Sequence, residues 1–101
     1  MKELSLGPDR ALKIVANPSK KFYVLKYIEG YAEYYAVLPY CNMYCLQMIK
    51  KSDIKGYGTP YHKAKSIQEV LENAIQYPTQ SPDRWALYEF ESIQEFLDSI
   101  I

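Results

Sequence analysis

Two apolar periods run along this chain. From Lys21 to Glu29, Phe22, Val24 and Ile28 share one side of an extended backbone with Lys26, and Tyr23, Leu25 and Tyr27 share the other. That period of two predicts a β-strand. Gly30 offers a reversal point, Tyr31 to Leu38 reads as the next strand, and Pro39 is expected to stop it. Met43 to Lys50 is apolar on both faces, with Tyr44, Leu46 and Met48 against Cys45 and Ile49. Periodicity alone fits a central strand or a buried helix there, and we read it as a strand. Ala11 to Val15 is permissive for a further strand, and Asn17-Pro18-Ser19-Lys20 is a turn cluster. Lys51 to Lys65, with Gly56-Tyr57-Gly58-Thr59-Pro60 inside it, reads as a polar loop.

The C-terminal third changes period. Ser66-Ile67-Gln68-Glu69 is a capping box, in which the Ser66 hydroxyl accepts from the Glu69 N–H and the Glu69 side chain reaches back. Ile67, Val70, Leu71, Ala74 and Ile75 then form one helical stripe. Arg84 to Glu91 returns to strand, with Ala86, Tyr88 and Phe90 on one face and Trp85, Leu87, Glu89 and Glu91 on the other. Ser92-Ile93-Gln94-Glu95 is a second capping box, and Ile93, Phe96, Leu97, Ile100 and Ile101 repeat the stripe. Residues 66–75 and 92–101 align without gaps and are identical at six of ten positions. A duplicated strand–helix unit and independent use of one good start signal both explain this. The segments before the two helices do not match, which favours the second.

These elements predict an α+β fold: a mostly antiparallel sheet from the first half, joined by the strand at 84–91, with two short amphipathic helices packed on one face. With 101 residues the chain is read as a single domain spanning 1–101. Burial of both stripes implies that Leu71→Ala or Leu97→Ala costs about 2–5 kcal/mol.

Composition adds two features. Tyrosine supplies eleven residues against three Phe and one Trp, and its flat ring with a polar tip suits half-buried sheets and contact surfaces. Charge is neutral overall but segregated. Residues 1–65 hold eleven bases and five acids, whereas residues 66–101 hold one base, Arg84, and seven acids. The mundane outcome is mutual attraction between the halves within the fold; the sharper one is a bipolar surface that steers a charged partner.

Little catalytic chemistry is on offer. His62 is the only histidine. Paired with Cys41 or Cys45 it would need an orienting group and an oxyanion site that no local motif provides. Two cysteines and one histidine are a thin supply for zinc. Cys41 and Cys45 on one strand would stand about 13 Å apart by strand rise, too far for a disulfide, and both are read as small reduced core residues. The glycine-rich stretch 56–60 matches no phosphate-binding fingerprint. Glu89 and Glu91 share a strand face as a carboxylate pair, a placement also used to discourage edge pairing. No cofactor, no metal and no membrane segment is expected, and the N-terminus does not resemble a secretion signal. A cytoplasmic location follows.

The expected function is therefore a non-enzymatic small binding protein that modulates or inhibits a macromolecular partner, in the manner of a mobile-element inhibitor or an immunity-type protein. A protein partner would meet the acidic residues Glu69, Glu72, Glu89, Glu91, Glu95 and Asp98. The alternative is a nucleic-acid or nucleotide binder that uses Lys20, Lys21, Lys50, Lys51, Lys63, Lys65, Tyr57 and Tyr61, because lysines beside stackable rings suit single strands. Opposite charged ends would also permit a homodimer.

Overall fold

The structure is a computed structural model that describes residues 2–3, 21–27, 34–76 and 85–99. In chain order it holds β1 (Lys2–Glu3), β2 (Phe22–Tyr27), β3 (Tyr34–Tyr40), β4 (Met43–Lys50), β5 (Asp53–Ala64), α1 (Ile67–Gln76), β6 (Trp85–Phe90) and α2 (Ile93–Asp98). The strands form one sheet in the order β1-β6-β2-β3-β4-β5, with every pairing antiparallel. This is the α+β architecture that the apolar periods imply. The strand expected at 11–15, the turn at 17–20 and the reversal at Gly30 lie outside the described residues.

Residues 43–50 are a strand, and both of their apolar faces are used. β3 and β4 form a hairpin from Tyr34–Ile49 to Tyr40–Met43. Cys41 and Asn42 close it with φ values of 43° and 64°, the left-handed pair that a two-residue turn needs to match strand twist. Cys41 is thus exposed at a turn tip and is not a core residue; only Cys45 is buried. Pro39 does not end β3. The β2–β3 pairs run only from Val24–Ala36 to Lys26–Tyr34, so Pro39 sits beyond that ladder and pairs with Tyr44 on its other side. Its missing N–H is tolerated where the strand has one neighbour.

The segment expected to be a loop, 51–65, is mostly the edge strand β5. Twelve residues of β5 lie along the stretch of β4 between Tyr44 and Lys50, with register shifts between successive pairs. An edge strand needs only one ladder, so glycines, Pro60 and bulges are admissible, and they also blunt the free edge. Gly58 takes φ +72°. Gly56 lies so close to Gln47 that a Cβ would fall 2.0 Å from the amide oxygen. The Gln47 amide in turn donates to the Gly58 carbonyl at 2.9 Å, so one β4 side chain props the bulged edge.

Each face of the sheet carries its own core. Tyr23, Leu25, Tyr35, Val37, Leu46, Ala64 and Leu87 meet Val70, Leu71, Ala74 and Ile75 of α1. On the other face, Phe22, Val24, Ala36, Ile49 and Phe90 meet Phe96 of α2. The helices therefore pack on opposite faces, not on one. The physical reason is visible in β2: four consecutive apolar residues, Phe22 to Leu25, are all buried, and a strand apolar on both sides needs cover on both.

The serine half of each capping box forms as expected. Ser66 Oγ accepts from the Glu69 N–H at 3.1 Å, and Ser92 Oγ from the Glu95 N–H at 3.2 Å. The Glu95 carboxylate reaches one residue past its cap and accepts from the Glu91 N–H at 2.7 Å. Only Phe96 of α2 is buried. Its ring lies 5.3–5.6 Å from those of Phe22, Tyr34 and Phe90. Leu97 and Ile93 are 37% and 46% exposed, so the burial expected for Leu97 does not occur. Among the described residues no helix is long and apolar enough to cross a membrane.

Candidate functional site

The acidic residues grouped by the sequence reading are dispersed by the fold. Glu69 and Glu72 ride on α1 and Glu95 and Asp98 on α2, on opposite faces of the sheet. Most are also engaged locally. Glu72 and Asp98 accept from Gln68 and Gln94 at 3.0 and 2.9 Å, and Glu95 serves its helix start. The Glu89 carboxylate accepts from the Tyr23 hydroxyl at 3.0 Å across a direct β2–β6 pair. Burial, then this bond and the charges of Glu89 and Glu91, push the Tyr23 hydroxyl well above the ordinary tyrosine range. Glu91 pairs with the Lys21 ammonium, which holds its carboxyl below the usual carboxylate range. Glu89 and Glu91 thus have separate partners and do not act as a carboxylate pair. Lys21, grouped with the basic set from sequence, is spent on that bond. By strand spacing it is also about 14 Å from the β5 edge. Lys20 lies outside the described residues.

The remaining basic and aromatic residues line the β4–β5 edge, Tyr57 and Tyr61 on the α1 side of the sheet and the Lys63–Tyr40 pair on the other. Lys50, Lys51, Lys55, Lys63 and Lys65 all belong to the β4–β5 hairpin or its exit, and Asp53 is the one acid between Met43 and Lys65. Lys50, Lys55, Lys63 and Lys65 are exposed. Lys50 Nζ lies 4.9 Å from the centroid of the Tyr57 ring and Lys63 Nζ 5.4 Å from that of Tyr40. These are cation–π distances that gather charge onto aromatic surface. The Tyr57 hydroxyl donates to the Asp53 carboxylate at 2.8 Å, and this bond is the main reason its proton is held more tightly than in an ordinary tyrosine. Asp53 therefore orients a ring as well as carrying the edge's lone negative charge. Tyr61, opposite Leu46, is 38% exposed and meets the buried Tyr35 ring at 6.4 Å and 66°.

Tyr40, Lys55 and Gln47 were not singled out from the sequence. Lys55 stands in the same lysine run and was legible by charge. Tyr40 joins Lys63 only through the register of three strands, which no local pattern reveals.

Burial pushes the Cys45 thiol up, against the opposing effect of Lys63, the reverse of what activates a nucleophile. His62 holds a left-handed φ of 54° within β5, toward the Cys41 end of β4, where Tyr61 and Ala64 stand opposite Leu46 and Tyr44. Stretch 56–60 opens no helix, since α1 starts at Ile67. Among the described residues no three His, Cys, Asp or Glu side chains gather as a metal site. Where β2 and β3 diverge, a groove of about 370 Å³ opens between Phe22, Val37, Leu38, Pro39, Ile67 and Ile93; the one charged side chain lining it, Lys21, is bound to Glu91. Comparison with protein-family models, curated proteins and solved structures finds no match to this chain.

Proposed function

We propose that this chain is a non-enzymatic binding module whose contact surface is the β4–β5 edge and whose partner is a negatively charged macromolecule. The observation that carries this is the concentration of five lysines on one bulged hairpin against a single aspartate that is itself hydrogen-bonded to Tyr57. Lysine ammoniums give strong charge attraction without the bidentate geometry of arginine. The surface therefore favours a repeating anion over a single shaped site. A module of this kind modulates its partner by occupancy, covering surface that other molecules would reach. The two free thiols suit a reducing compartment.

The test is fluorescence anisotropy with labelled polyanions at low and moderate salt. Binding should weaken steeply as salt rises. The double variant Lys50→Ala/Lys63→Ala should lower affinity and flatten the salt slope, by about 0.7 per lost contact for a single strand. The control Lys21→Ala should leave the slope unchanged, because that ammonium belongs to Glu91. Failure to bind any polyanion at low salt would overturn the reading, and so would equal effects of the double variant and the control.

A further inference from the structure

We infer that the anionic partner of this edge is single-stranded nucleic acid, held by base stacking on Tyr61 and Tyr57 as well as by charge; this rests on the binding edge proposed above. Three observations choose it over an acidic protein or a duplex. The first is the aromatic surface among the lysines. Tyr61 is partly solvent-exposed and braced by the Tyr35 ring, and Tyr57 is oriented by Asp53. An acidic side chain can use only the hydroxyl at the ring's tip, whereas every base has a face to lay on the ring itself. In a duplex those faces are already stacked.

The second is spacing. Tyr57 and Tyr61 stand opposite Met48 and Leu46, two residues apart on β4 and hence about 6.6 Å along the sheet. That is about twice the ~3.4 Å rise of a stacked strand, so nearby bases of one strand can reach both rings while its phosphates meet Lys50 and Lys55. The third is the edge itself. β5 is irregular along β4, and a bulged edge gives a poor template for an added protein strand. All five of its cations are lysines, so strong sequence preference is not expected; guanine readout favours arginine.

The test compares a mixed-sequence single-stranded oligonucleotide, its duplex and poly-glutamate, at one salt concentration, against wild type, Tyr61→Ala and Tyr61→Trp. The expected result is tightest binding of the single strand, a roughly 5- to 100-fold loss in Tyr61→Ala, and recovery in Tyr61→Trp. Fluorescence of the introduced tryptophan should be quenched by the oligonucleotide and not by poly-glutamate. Because Tyr61 also touches Tyr35, thermal melting of Tyr61→Ala is run alongside, and the tryptophan quenching stands independently of that variant's stability. Comparable binding of all three polyanions with no quenching would overturn base stacking and leave the charged edge standing. Preference for poly-glutamate would make the partner an acidic protein. No binding to any of the three would overturn the inference and the edge together.

Discussion

Helices α1 and α2 start from aligned segments that share six of ten residues, and their local contacts repeat closely. Ser66 and Ser92 cap at 3.1 and 3.2 Å. Gln68 reaches Glu72, and Gln94 reaches Asp98, at 3.0 and 2.9 Å. Each helix also begins two residues after a strand, at Lys65-Ser66 and at Glu91-Ser92. Burial does not repeat. Leu71 is fully buried while its counterpart Leu97 is 37% exposed. The strand that precedes each helix accounts for the difference. Ala64 ends β5 within the core that α1 covers, whereas Phe90 ends β6 within the opposite core. Each helix folds back over the face its last strand residue occupies. α1 then spans several strands, and the six-residue α2 meets its core through one aromatic side chain. Interactions within a turn are set by the residues of that turn; depth is set by the sheet.

Truncating the anchors should give the largest effects. Phe96→Ala is expected to cost about 3–5 kcal/mol, because three aromatic rings lose their common partner. Leu71→Ala should cost about 2–5 kcal/mol, whereas Leu97→Ala, at the same place in the repeat, should stay below about 1 kcal/mol, near the range of surface changes. Urea denaturation measures all three. Similar midpoint shifts for Leu71→Ala and Leu97→Ala would break the contrast between the helices.

Removing the caps should cost less and sharpen the contrast. Ser66→Ala and Ser92→Ala each delete one hydroxyl acceptor, worth about 0.5–2 kcal/mol. Three buried side chains, Leu71, Ala74 and Ile75, hold α1 beyond its first turn, and one holds α2. Amide hydrogen exchange should therefore accelerate only in the first turn for Ser66→Ala and along the whole of α2 for Ser92→Ala. Uniform acceleration of α1 would mean that its core contacts do not hold it independently of the cap.

What was legible in the sequence follows the same division. Strands β2, β3 and β6 and both helix starts were readable because their signals are local: alternation, or a serine three residues before a glutamate; β4, apolar on both faces, carries no period that separates strand from buried helix. β5 was misread because the lysines, glycines and proline that look like a loop are also what an edge strand uses to resist pairing. Which face each helix covers was implicit in the doubly apolar run from Phe22 to Leu25, but a side for each helix requires knowing where β5 and β6 join the sheet. The proposed binding edge was half legible. Its charge shows as a lysine run, and the sequence places Lys21 in the same set. Only the strand order separates Lys21 from the others and brings Tyr40 to Lys63.

The smallest expected effect concerns the two-residue links. Lys65 precedes the Ser66 cap of α1 and Glu91 precedes the Ser92 cap of α2, so the links carry opposite charges at equivalent places. Lys65 is exposed, whereas Glu91 pairs with Lys21 on β2's side of the sheet. The hydrogen bond and charge of Lys21 lower the Glu91 carboxyl below its ordinary value. A group whose folded value is depressed stabilises the fold above its unfolded value, here about 4.3. That contribution is lost as pH falls through the lower folded value. Stability between about pH 6 and pH 3 should therefore fall more steeply in wild type than in Glu91→Gln, with the two curves converging at the acid end. Because Glu91 is largely in water, added salt should shrink the difference. Lys65→Gln should leave the acid limb parallel to wild type. If it flattens that limb as Glu91→Gln does, the pairing with Lys21 is not what distinguishes the two links.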